Sequence, residues 1–175
     1  IYSRAIGLLF ALSFLCVGCE NEDILDINDL EISPSNPESV VIVEPDDGIT
    51  SVNALTKAIN ENGDATYILR RDGVYYMEGK NVFKHNVVIK AENGSGKMPI
   101  IQPICDAQGA LNADMIRLEG SATFENIYII GKDAATGNLM QRLFRIDESN
   151  VRLKFDNCFI DHCRNFCIRT DNVNN

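Results

Sequence analysis

Apolar and polar residues alternate in short runs between Met115 and Asp171, and the runs repeat. Ile116-Arg117-Leu118-Glu119, Phe144-Arg145-Ile146-Asp147 and Phe166-Cys167-Ile168-Arg169 are apolar at their first and third positions. A second set reads Asn86-Val87-Val88-Ile89, Asn126-Ile127-Tyr128-Ile129 and Asn157-Cys158-Phe159-Ile160. The first set returns after 28 and then 22 residues, the second after 40 and then 31. Strict alternation predicts strands, because neighbouring side chains on a strand face opposite ways. Strands that return every ~20–40 residues predict circuits stacked on one another. The expected fold is all-β, a right-handed parallel β-helix.

The same pattern places residues. Ile116/Leu118 and Phe144/Ile146 point inward, with Phe166/Ile168 stacked above them. Val151, Leu153 and Phe155 point inward on another face, ahead of Cys158 and Ile160. Cys158 takes the place that Ile127 has one circuit earlier. Asn86, Asn126 and Asn157 each precede an apolar pair and predict an asparagine ladder at one corner. Upstream, Val40 to Val43 is a β-branched run and Pro45 to Gly48 a turn. Ser51 offers an N-cap; Leu55, Ala58 and Ile59 fall at helical spacing; Gly63 stops the helix. This helix is expected to cap the first circuit. The strand-like segments Ala65–Leu69 and Val74–Met77 follow. The last strand runs into Asn172-Val173-Asn174-Asn175 with no visible cover, so a coil truncated at its C-terminus is expected.

Composition narrows the picture. The chain of 175 residues is 45% apolar and 23% charged, enough for a packed core. Its net charge of −9 argues against nucleic acid as a partner. Arg4 precedes an apolar run from Ala5 to Gly18 that ends at Cys19, the layout of a secretory signal and too short to span a membrane comfortably. Val17-Gly18-Cys19 resembles the lipobox of bacterial lipoproteins, with Leu15 one place from the usual position. Glu20-Asn21-Glu22-Asp23 resembles the export tag of surface lipoproteins of the Bacteroidota. The expected division is a signal peptide over 1–18, an acidic, Pro-containing tether over 19–39 and the β domain over 40–175, with lipid on Cys19. That places the protein in the outer membrane, facing the cell exterior. Cys105, Cys158, Cys163 and Cys167 remain. An exported chain permits disulfides, and four cysteines leave three pairings open. Cys-x4-Cys-x3-Cys with only His162 nearby is no zinc pattern.

A capping helix with Leu-x-x-Ala-Ile (Leu55 to Ile59), a Gly63-Asp64 turn, a strand, then Asp72-Gly73-Val74-Tyr75 resembles the opening of pectate-lyase-like proteins. Asn86 to Glu92 followed by Pro99-Ile100-Ile101 is similar to the opening of the polysaccharide-lyase family that includes chondroitinase B and alginate lyases. It is also similar to β-helix domains of Bacteroidota surface lipoproteins. The resemblance spans about Val40 to Asp171. It implies an acidic polysaccharide as partner, recognised by the domain and, in its catalytic form, cleaved by β-elimination. A non-catalytic glycan-binding module and an adhesive stalk are the alternatives.

The residues add candidates of their own. With 116, 118, 144 and 146 inward, Arg117 and Arg145 face out as neighbours and could hold carboxylates or sulfates in forked geometry. Arg152 and Lys154 point out from the next strand. The same two arginines could instead be paired with Glu119 and Asp147, and Arg169 aligns with those acids. Tyr128 and Phe159 match across circuits as a sugar platform, or as a cross-strand pair. Lyase chemistry needs a base and a neutralised carboxylate. Lys154, Arg169 and His162 are the candidate bases. Asp147, Glu148 and Asp161 are candidate Ca²⁺ ligands, but no motif arranges them, so no metal or other cofactor is assigned. A monomer is expected.

Overall fold

The computed structural model describes residues 39–171. The expected signal segment, Cys19 and all of the tether but Ser39 lie outside them. The described chain is mostly β, with parallel sheets. It opens with β1 (Val40–Val43) and α1 (Ala54–Asn62). Strands then come in threes: β2 (Ala65–Leu69), β3 (Val74–Glu78), β4 (Asn81–Phe83); β5 (Val87–Ala91), β6 (Ile100–Ile104), β7 (Asp114–Leu118). The next six are β8 (Ala122–Glu125), β9 (Tyr128–Ile130), β10 (Met140–Ile146); β11 (Leu153–Asp156), β12 (Phe159–Asp161), β13 (Cys163–Thr170). Each circuit deals one strand to each of three sheets. Sheet 1 is β1-β2-β5-β8-β11, sheet 2 is β3-β6-β9-β12 and sheet 3 is β4-β7-β10-β13.

Alternation builds the core. Tyr67, Ile89, Phe124 and Phe155 stand in one column of sheet 1. Tyr75, Ile101, Ile129 and Ile160 do so in sheet 2. Ile116 and Phe144 are partners in sheet 3, as are Leu118 and Ile146. Phe124, Phe144 and Phe155 meet ring to ring at 5.4–5.6 Å. Each fully buried apolar side chain contributes about 1.5–3 kcal/mol, and the columns place one on each circuit through β10, while Phe155 and Ile160 of the next are only partly buried. Val151, Leu153 and Phe155 pack against this core as expected. Cys158 is half-buried, and its thiol donates to the Phe124 carbonyl at 3.3 Å.

Three expectations are corrected. The first concerns register in β13. Ile168 pairs with Phe144 and Arg169 with Arg145, so Phe166 lies beside Arg142, not Phe144, and Phe166 and Ile168 are exposed (58% and 45%) instead of joining the core. Met140 faces Cys163 while Arg142 faces Phe166, and this irregularity shifts everything after it. The second concerns the ladder. Asn126 (φ 58°) and Asn157 (φ 47°) share the corner between sheets 1 and 2, with Asn157 Nδ2 donating to Asn126 Oδ1 at 2.5 Å. Asn86 sits at the corner between sheets 3 and 1. There the Asp64 carboxylate accepts the Asn86 amide, Asn86 Oδ1 accepts the Ser121 amide, and Ser121 Oγ accepts the Arg152 amide. That is a second ladder with a different residue on each rung. The third concerns the helix cap. Asn53, not Ser51, precedes α1, and its side chain caps nothing. The Asp46 carboxylate serves instead, accepting from the Ala54 and Tyr76 amides at 3.2 and 3.0 Å. Ser51 closes the preceding turn against Asp47. Gly63 ends the helix as expected, with φ 73°. Leu55, Thr56 and Ile59 are the buried face of α1, and Thr56 donates to Asn81 Oδ1 at 2.7 Å, satisfying a polar residue that occupies a core position of β4.

Candidate functional site: an arginine column beside a cleft

The middle of sheet 3 alternates Ile116-Arg117-Leu118 on β7 with Phe144-Arg145-Ile146 on β10. Because the apolar members are buried, the arginines share the opposite side. The register sets Arg117, Arg145 and Arg169 side by side on three successive strands. Stacked cations at about 4.8 Å spacing need anions between them. Asp147 lies 3.1 Å from Arg117 and 2.7 Å from Arg145; Asp171 lies 2.9 Å from Arg145 and 2.6 Å from Arg169. Asp114, only 6% exposed, takes the Arg142 guanidinium and stands 3.6 and 3.7 Å from Arg117 and Arg145. Four guanidinium groups therefore meet three carboxylates, leaving one positive charge. The Arg117 Nε faces Asp147 at an angle that makes no hydrogen bond, although the charges are close. Glu119 makes no ion pair among the described residues. The Arg169 hydrogen bond holds the Asp171 carboxyl below its ordinary value. Desolvation works against the charge on Arg145, but Asp147, Asp171 and Asp114 outweigh it and hold the guanidinium's pKa above its usual value.

At the start of the same strands lies a cleft of about 600 Å³, lined by Asn112, Asn138, Gln141, Arg164 and the apolar Leu111 and Leu139. Arg164 enters it from β13 and makes no ion pair among the described residues. Two loops form the wall, one after β6 and one after β9. They are tied together by Asp133, which is 1% exposed. Its carboxylate accepts from the Cys105 amide (2.8 Å), the Ala135 amide (3.1 Å), and the Thr136 amide and hydroxyl (2.5 and 2.7 Å). Burial would raise this carboxyl, but the Thr136 and Cys105 hydrogen bonds outweigh it and hold it below its usual value. Asp106 braces the first loop through the Gln108 and Ala110 amides.

The other sequence candidates are distributed over the molecule. Tyr128 and Phe159 are partners on the outer side of sheet 2 and meet edge to face at 6.3 Å. They complete a column with Val74 and Ile100, and Phe159 is 64% exposed. Lys154 is exposed on sheet 1, and Arg152 is exposed at the corner just before it. His162, at the corner before β13, pairs with Asp161 at 2.8 Å. The three candidate bases thus stand on sheet 1 (Lys154), on sheet 3 (Arg169, held by Asp171) and at a corner (His162), and do not converge. Asp147 and Glu148 follow β10 whereas Asp161 ends β12, and no group of three potential metal ligands occurs among the described residues. Arg117 and Arg145 come together as expected; Arg152, Tyr128 and Phe159 are on other faces. Arg164, Asn112, Asn138 and Gln141 were not visible as a site, because no two of them share a repeat phase. No family model matches the chain, and no curated protein matches it.

Proposed function

We propose that this is a right-handed parallel β-helix of the pectin-lyase-like kind, displayed as a lipoprotein, that recognises an acidic polysaccharide along sheet 3. Handedness follows from the near-universal right-handed crossover between parallel strands. The observation that carries the reading is Arg164: a guanidinium with no ion pair among the described residues, in a cleft whose other polar walls are the amides of Asn112, Asn138 and Gln141. A carboxylate or sulfate suits the guanidinium, and sugar hydroxyls suit amides, which both donate and accept. A chain leaving the cleft along β10 would pass the arginine column, whose four guanidinium groups exceed the three carboxylates that hold them by one charge. The apolar Leu111 and Leu139 offer contact to a ring face. Binding is favoured over cleavage, because the candidate bases do not meet at one point.

The test is affinity electrophoresis of the chain through gels containing alginate, pectate or a glycosaminoglycan, with a neutral glucan as control. Retardation by an acidic polymer and not by the glucan is expected. A charge-assisted hydrogen bond contributes about 1.5–3 kcal/mol, so Arg164→Ala should weaken retention roughly 10–100-fold. No retardation by any acidic polymer ends the proposal. Ultraviolet absorbance of unsaturated uronate in the same mixtures would convert it from recognition to cleavage. The lipid anchor is tested by fatty-acid labelling in a Gram-negative host, which Cys19→Ala should abolish.

A further inference from the structure

Between Cys163 and Phe166, β13 takes three steps where β10, from Met140 to Arg142, takes two. A straight strand would hold residues four apart at about 13 Å. The irregularity instead brings the Cys163 and Cys167 sulfurs to 3.0 Å. That is closer than ordinary sulfur contact, though longer than a covalent bond of about 2.05 Å. Both thiols are free and partly exposed, and Arg164, Asn165 and Phe166 between them are exposed. Among the described residues the other two cysteines face no sulfur: Cys158 donates to the Phe124 and Asp156 carbonyls at 3.3 Å, and Cys105 stands 3.9 Å from Thr136 Oγ1. Of the pairings open to four cysteines, one pair is adjacent.

We infer that Cys163 and Cys167 form a reversible dithiol–disulfide pair, a modification site that closes a covalent ring around Arg164. The co-reactant is a small-molecule disulfide. One protein thiolate attacks it, a mixed disulfide forms, and the first reagent thiolate leaves. The second protein thiolate then attacks the protein sulfur of that mixed disulfide, the protein S–S bond forms, and the second reagent thiolate leaves. The protein loses two electrons and two protons, and the reagent gains them as two thiols. The bond with Cys163, ahead of burial, pushes the Cys167 thiol up to about 11, and the 3.0 Å separation lets either sulfur complete the exchange that the other begins. Closing the ring fixes the irregular start of β13, the last strand of sheet 3.

The full chain, reduced and then equilibrated with oxidised glutathione, is alkylated and mapped by peptide mass spectrometry. The expected result is an intramolecular Cys163–Cys167 link, with Cys158 and Cys105 alkylated, reversed by excess reduced glutathione. The oxidised form should melt a few degrees higher, and Cys158→Ser should leave the link unchanged. Mapping the unmutated chain needs no variant to fold. A link to Cys158 or Cys105, separate glutathione adducts on Cys163 and Cys167, or full alkylation of both after oxidation would each overturn the inference.

Discussion

Asp133 shows how much one buried carboxylate can organise. It joins two loops through three amides and a hydroxyl, and those loops are a wall of the cleft. Its carboxyl and that of Asp171 are both held below the usual value. A depressed folded value means stability that is complete above the unfolded value of about 3.9 and is lost as pH falls through the folded one. Asp133→Asn should therefore flatten the acid limb of the stability curve, measured by urea unfolding between about pH 5 and pH 2. An unchanged slope would show that Asp133 is not held as described. Gly131 makes a steric point at the same scale. A Cβ there would come 2.5 Å from the His162 carbonyl of the next circuit, and backbone cannot swing aside. Gly131→Ala should cost on the order of 1–3 kcal/mol, read as a lower denaturation midpoint at unchanged slope. Asp114 touches three arginines, and Arg142 is nearly buried with it. Asp114→Ala strands that guanidinium, at about 3 kcal/mol.

At the scale of elements, α1 depends on a cap far from it in sequence. Asp46 lies eight residues before Ala54 and bonds both its amide and that of Tyr76. Burial pushes the Asp46 carboxyl up, more than those two amides pull it down. A raised folded value contributes stability below the unfolded value and loses it as pH rises through the folded one. Asp46→Ala should lower stability by about 0.5–2 kcal/mol, as loss of a cap does. Asp46→Asn should cost less, and its deficit should shrink as pH rises from 4 to 7 (roughly, from the ordinary Asp value upward), by chemical denaturation. Ser51, the cap that spacing favours, cannot be told from Asp46 in sequence, because a cap reached through a folded turn has no fixed offset. The strands divide in the same way. β2, β3 and β5 are legible because each alternates or is β-branched for five residues. β4 is three residues long and puts Asn81 in the core, so neither length nor alternation reveals it. In β13 the alternation is visible, but the extra step after Cys163 is not. Phe166 and Ile168 keep their phase while their partners change by two, and that moved Arg169 from the acids to the arginines. The arginine column was legible where phase repeats cleanly, at Arg117 and Arg145. Arg164 was hidden because it sits inside the irregular step.

The whole molecule is acidic, with a net charge of −9, yet its proposed ligand is acidic too. Long-range repulsion and local attraction then act against each other over different distances. Repulsion from the whole chain is screened beyond a Debye length, about 10 Å at 0.1 M salt, whereas contact between a guanidinium and a carboxylate is screened less. Each cation that displaces a counterion from a polyanion adds up to about one to the slope of log affinity against log salt. Sheet 3 offers two cases. If only Arg164 meets the ligand while Asp114, Asp147 and Asp171 keep their arginines, the slope should be near one, or less where screening relieves the repulsion. If the ligand displaces those carboxylates and recruits Arg117, Arg142, Arg145 and Arg169, the slope should approach about five. Displacement would leave Asp114 buried without a partner, which is costly, so the shallow slope is expected. Titration of a short acidic oligosaccharide at about 0.02, 0.1 and 0.5 M salt, by calorimetry, measures it. A steep slope that Asp147→Asn makes no steeper would mean that the arginine column, rather than Arg164, is the contact surface.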